Sequence, residues 1–122
     1  MTDFTALAER YIACWNDTDP ISRRAAIDEL WAAGARYTDP LVDAEGRDAI
    51  DATIGAAQQQ FPGFAFRLAG PVDGHHQQLR FTWELGPDGA DPAPIVGFDV
   101  AVTDADGRLS TVLGFLDRVP AA

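Results

Sequence analysis

The chain has 122 residues, enough for one domain that buries about two-thirds of the surface its unfolded form exposes. Hydrophobic residues make up 47% and charged residues 23%, which excludes a disordered chain or a collagen-like repeat. The charge is lopsided, with 19 acidic against 9 basic side chains and a net charge of −10, and every base is an arginine. A lysine Schiff base is therefore excluded, and with it the usual anchoring of pyridoxal phosphate. The arginines are scattered, so nucleic acid and anionic membranes are poor partners. No apolar run approaches the ~20 residues that span a bilayer. The start, Met1-Thr2-Asp3-Phe4, has neither the basic nor the apolar region of a secretory signal, so the expected location is cytoplasmic.

The first predicted element is a helix over Thr5 to Trp15, with Phe4, Leu7, Tyr11 and Trp15 on one face. The lone cysteine, Cys14, lies inside this pattern and is expected to be a buried thiol, with no disulfide possible. Asp19-Pro20 reads as a cap followed by proline at the first helical position. The second helix then runs to about Ala33, with Ile21, Ile27, Leu30 and Trp31 as its apolar side and Gly34 as a left-handed cap. Ala35 to Asp39 is a short strand stopped by Pro40, and Asp43 to Gly46 a turn. A third helix covers Arg47 to Gln60 and ends at Pro62-Gly63.

The period then changes to two. Phe64, Phe66 and Leu68 alternate with smaller or polar residues as in a half-buried strand. Gly70 to Gly74 reads as a turn, and His75 to Leu85 as a longer strand with Leu79, Phe81, Trp83 and Leu85 on one face. Gly86 to Pro94 is a hairpin loop, Ile95 to Thr103 a strand, Asp104 to Gly107 a turn and Leu109 to Val119 the last strand. The order is ααβαββββ. It predicts a single α+β domain over residues 1–122, with three N-terminal helices packed on a curved, mostly antiparallel sheet that leaves a pocket at one end.

Three groups stand out in apolar surroundings. Tyr11 lies on the buried helix face, where it either packs with its hydroxyl satisfied or presents that hydroxyl to a pocket. Asp39, between a strand and Pro40, reads as a turn residue bonding nearby backbone. Asp99 is the only polar side chain in the run Ile95 to Val102, so it either leans into solvent or is buried with a raised pKa. His75 and His76 are adjacent, so on a strand they face opposite sides, and one could line a pocket. With one cysteine and no HExxH motif, no metal site is expected. Phosphate-binding and nucleophile-elbow motifs are also missing, and no cofactor is expected.

The element order resembles the SnoaL-like, nuclear-transport-factor-2-like superfamily over nearly the whole chain. So do Trp15-Asn16, Tyr37-Thr38-Asp39-Pro40, Gly46-Arg47-Asp48-Ala49-Ile50 and Asp106-Gly107-Arg108-Leu109. The resemblance implies a cone-shaped fold with a deep apolar cavity, and a homodimer. It covers isomerases, polyketide cyclases, epoxide hydrolases and domains that only bind. The nearest functional pattern is that of ketosteroid isomerases. It implies an oxyanion-hole tyrosine at Tyr11, a general base at Asp39 before proline, and a protonated carboxylic acid at Asp99, eight residues before Gly107. The epoxide hydrolase pattern would start at Arg80, but Thr82 and Gly114 stand where its carboxylates belong. The expected activity is cofactor-independent proton transfer next to the carbonyl of a small apolar ketone or enone. The alternatives are a polyketide cyclase of the same fold, or a non-catalytic module for a hydrophobic ligand. Trp15, Phe61, Phe64, Phe66, His76, Trp83, Val112 and Leu116 are the expected substrate-binding wall.

Overall fold

The computed structural model describes residues 2–120. Helices α1 (Phe4–Asn16), α2 (Pro20–Leu30) and α3 (Arg47–Gln60) pack on a six-stranded sheet. Its strands are β1 (Trp31–Thr38), β2 (Asp43–Glu45), β3 (Phe64–His75), β4 (Gln78–Pro87), β5 (Ile95–Thr103) and β6 (Leu109–Arg118). The strand order is β2-β1-β6-β5-β4-β3. All neighbours are antiparallel except β1 and β6, which run parallel. This is the mostly antiparallel α+β arrangement that the period change implies, with the helices covering one face of the sheet.

The start of α2 follows its sequence signal, and α1, expected from Thr5, begins at Phe4 behind an Asp3 cap. The Asp3 carboxylate accepts from the Ala6 N–H at 3.0 Å, and the Asp19 carboxylate from the Ile21 N–H at 3.1 Å with Pro20 next to it. The end of α2 does not follow. The helix stops at Leu30, three residues before the expected Ala33, and Trp31 opens β1 fully buried. Arg47 explains the stop. Its guanidinium donates to the Trp31 carbonyl at 2.7 and 3.0 Å and to the Asp28 carbonyl at 2.9 Å, taking up acceptors the last turn leaves free. Gly34 therefore lies inside a strand and caps nothing, and Ile21, expected on the apolar side, is 83% exposed.

Two expected turns are also strand. Asp43 to Glu45 forms the short edge strand β2. Gly70 to Gly74 stays within β3, where the register slips so that three residues, Gly70 to Val72, oppose Phe81 alone. A Gly-Pro pair can be absorbed this way because β3 is the other edge of the sheet and needs no N–H from Pro71 for a further neighbour. The chain reverses instead at His76-Gln77, with His75 paired to Gln78 and His76 at φ 54°.

The core lies between the inner sheet face and the helices. Leu79, Phe81, Trp83 and Leu85 of β4 are all buried, as their alternation predicts. Cys14 is a buried thiol, with its pKa pushed up to about 11 by burial. Arg23 of α2 ties the three helices together. It is 8% exposed, donates to Asp51 and to Gln58 at 2.8 Å each, and Gln58 in turn donates to the Trp15 and Asp17 carbonyls at the end of α1.

Candidate active site

Alternation along three neighbouring strands builds the polar end of the cavity. Tyr37, Val112 and Ala101 lie opposite one another on β1, β6 and β5. Two residues further along each strand, on the same face, come Asp39, Gly114 and Asp99. Sheet geometry thus sets two acids on either side of a glycine. A helix supplies the third group: the Tyr11 hydroxyl donates to Asp99 Oδ2 at 2.7 Å. Asn16 anchors the end of that helix to the sheet edge, donating to the Phe66 carbonyl and accepting from the Phe66 N–H, both at 2.8 Å.

Asp99 faces inward and is 1% exposed. Its second oxygen, Oδ1, has no hydrogen-bond partner. Burial pushes its pKa up to about 6; the nearby Trp83 indole, which falls short of hydrogen-bond geometry to Oδ1, and the Tyr11 hydroxyl work against that shift, and the charge of Asp39 adds to it. The same burial, with the Asp99 charge beside it, holds the Tyr11 phenol well above its ordinary value. Asp39 is half-buried at the end of β1. Its Oδ1 accepts from the backbone N–H groups of Leu41 and Val42 at 2.8 and 3.0 Å, and its Oδ2 accepts from the Tyr37 hydroxyl at 2.6 Å. Burial raises the Tyr37 pKa, so that hydroxyl stays a donor.

These groups close one end of a cavity of about 400 Å³ whose other walls are almost wholly apolar. Trp15, Phe66 and Trp83 run along it, with ring centroids 5.4 and 5.3 Å apart in succession. The Trp83 ring packs over Gly97, where a side chain would occupy the same space. The indole N–H of Trp15 is buried without a partner, a second unsatisfied polar group on the cavity wall. Leu41, Phe115 and Val119 form an apolar rim, being 77%, 56% and 56% exposed. The volume suits a small ligand, and the shape suits a flat apolar body with one polar end.

Of the residues expected from sequence, Tyr11, Asp39, Asp99, Trp15, Phe61, Phe66, Trp83 and Leu116 all border this cavity. Phe64, His76 and Val112 do not. Phe64 stacks on Phe61 at 5.5 Å, Val112 is fully buried in the core, and His76 is exposed in the hairpin turn created when β3 runs through its expected stop. Arg80 points out of the sheet and pairs with Asp73 at 3.2 Å, away from any site. Tyr37, which the sequence offers only as part of a family motif, and Gly114, which it offers only as a missing carboxylate, also border the cavity. The signal for Tyr37 was its position two residues before Asp39 on one strand, which puts both on one face. Gly114 could be found only once β6 was known to lie between the two acids. Among the described residues, no group of three or more histidine, cysteine or acidic side chains could hold a metal ion, and no helix is long and apolar enough to cross a membrane.

The family model described as "SnoaL-like domain" matches residues 8–112. This chain belongs to that family. It is similar to a crystal structure from Agrobacterium tumefaciens str. C58, named as a candidate isomerase of the SnoaL-like family. The two share 43% identity with a TM-score of 0.90, over 96% of this chain and 99% of that one. Two more distant structures share the fold alone. One is a candidate polyketide cyclase from Sinorhizobium meliloti (13% identity, 89% and 93% of the chains, TM-score 0.70). The other is a SnoaL-like protein of unknown function from Burkholderia thailandensis (15% identity, 95% and 98%, TM-score 0.68). No curated protein matches the chain. The nuclear-transport-factor-2-like cone is thus the fold, and isomerases and polyketide cyclases are the activities named among its neighbours.

Proposed function

We propose that this SnoaL-like protein is an isomerase that moves a proton next to the carbonyl of a small, flat, apolar ketone or enone. The observation that carries this reading is Asp99: a fully buried carboxyl with one oxygen bonded to Tyr11 and the other unpartnered beside the cavity and Asp39. Asp39 removes the α-proton. Neutral Asp99 gives its Oδ1–H to the developing enolate oxygen. Tyr11 acts mainly through Asp99, because its own O–H is already donated to Oδ2. A preorganised donor in a dry site is typically worth ~10²–10³ in rate. Return of the proton from Asp39 to another carbon completes the isomerisation, so atoms and charge balance without a cofactor. An aldol closure from the same enolate would be the cyclase variant of the reaction.

The test begins with binding of 2-naphthol, which fluoresces differently as phenol and phenolate. Asp99→Leu is expected to weaken phenolate binding far more than binding of a neutral ligand. Asp39→Asn is expected to remove turnover of enone substrates at least 10³-fold while leaving 2-naphthol affinity within a few-fold. Because the donor at Asp99 requires the proton, kcat/KM should fall on the alkaline side of about pH 6. Turnover that survives Asp39→Asn would end the catalytic reading.

One observation favours the second reading, a binding module without chemistry. The Asp39 carboxylate already accepts three hydrogen bonds, from Tyr37 and two backbone N–H groups, as a structural turn residue would. Under that reading 2-naphthol binds only as the neutral phenol. We also propose that the active form is a homodimer. Val96, Phe98, Val100 and Val102 of β5 alternate away from the helices and, with Leu113 of β6 (39% exposed), form an apolar strip on the outer sheet face.

A further inference from the structure

Position 114 is glycine for a reason its backbone does not supply. Its φ lies outside the left-handed region, and it pairs with Asp99 in the middle of β6, where glycine weakens a strand. What its missing side chain leaves is room. A Cβ at this position would stand 3.0 Å from Asp99 Oδ1, 3.3 Å from Asp39 Cβ and 3.5 Å from the Thr38 carbonyl. Gly97 is different, because there the Trp83 ring of the same molecule fills the space. Gly114 borders the cavity, and the polar atom nearest the narrow space its missing side chain leaves, Asp99 Oδ1, is buried without a partner.

We infer that Gly114 is the specificity-determining residue of this site: it holds open the slot between Asp39 and Asp99 that takes a carbonyl group and its unbranched α-carbon. This rests on the proton-transfer reading and adds a substrate constraint that the reading alone lacks. The substrate has a CH₂ next to its carbonyl and no branch on the side facing β6. A methyl group beside the oxygen competes for the volume a Cβ at position 114 would take.

Two experiments test this. In the unaltered protein, 1-methyl-2-naphthol, with its methyl next to the oxygen, should bind at least tenfold more weakly than 2-naphthol. The 6-methyl isomer should bind within threefold of 2-naphthol. In Gly114→Ala, 2-naphthol affinity should fall at least tenfold while naphthalene, which has no oxygen, binds within twofold. Adding Gly114→Ala to Asp99→Leu should cost less than threefold more, because both act on one contact. Equal binding of the two methylnaphthols overturns the inference, even if the alanine variant does not fold. So does a folded Gly114→Ala that binds 2-naphthol as well as the parent, or that loses naphthalene equally. If Asp99→Leu leaves 2-naphthol binding unchanged, the underlying reading fails. If Asp99→Leu weakens it and position 114 does not matter, only the slot fails.

Discussion

Replacing Asp99 by asparagine should stabilise the protein, and by an amount that depends on pH. The substitution keeps the side-chain shape, and the amide oxygen can still accept the Tyr11 hydroxyl that now bonds Oδ2 at 2.7 Å. What it removes is the cost of an ionised carboxyl that is 1% exposed and has one unpartnered oxygen. The pKa stands at about 6 in the folded protein against an ordinary value of 3.8. Below about pH 4 both the folded and the unfolded chains keep the proton, and the carboxyl carries no ionisation cost. Between pH 4 and 6 the unfolded chain releases its proton while the folded one retains it, so stability falls as pH rises. Above pH 6 the full cost applies. At 1.36 kcal/mol per pKa unit, a shift of about two units is worth about 3 kcal/mol. For a domain of this size that corresponds to roughly 10 °C in Tm. Urea unfolding followed by tryptophan fluorescence, on both proteins from pH 4 to pH 8, reads the difference directly. Effects of pH on the rest of the molecule cancel in that difference. The asparagine variant should gain on its parent through the pH 4–6 window and hold the gain above it. A difference that stays flat across the range would refute the reasoning, because Asp99 would then titrate alike in both states.

Two further substitutions probe the scaffold and the outer face. Arg23→Leu leaves Asp51 and Gln58 without their donor at the junction of the three helices. Because the Asp51 side chain is 26% exposed and partly rehydrated, the loss should be about 2 kcal/mol, read as a lower urea midpoint with an unchanged slope. Leu113→Glu puts a charge on the outer sheet strip and should yield a folded monomer by sedimentation, at concentrations where the parent is dimeric; a parent that sediments as a monomer would remove the dimer proposal.

Features governed by local chemistry were legible in the sequence. The start of α2 follows from Asp19 with Pro20. The face of β4 follows from its period of two, and both bounds of β5 from the turn residues around it. Tyr11, Asp39 and Asp99 could be named because each carries a polar group in apolar surroundings and matches the ketosteroid isomerase pattern, and all three border one cavity. The errors arise where a distant residue decides the local outcome. Arg47 reaches back to the carbonyls at the end of α2 and stops the helix early, and nothing within residues 20 to 34 announces it. Pro71 is tolerated within β3 only because that strand lies at a sheet edge, a property of the whole topology. Moving that one turn also moves His76 from the expected pocket wall to a hairpin tip.

The same distinction explains why Gly114 could not be read in advance. In sequence it is one small residue in Leu113-Gly114-Phe115, with no turn signal and no charge. Its meaning comes from its neighbours across the sheet. The parallel pairing of β1 with β6 brings Asp39 to one side, and the antiparallel pairing of β6 with β5 brings Asp99 to the other. Two acids that lie 60 residues apart in the chain are thereby separated by one missing side chain. Strand spacing sets the distance between their backbones, and the Leu41 and Val42 backbone N–H groups hold the Asp39 carboxylate, so the slot should keep its width when only the rim side chains change. Rim variants at Leu41 or Val119 should therefore change how fast ligands enter and leave, whereas the choice between branched and unbranched ligands should follow position 114 alone.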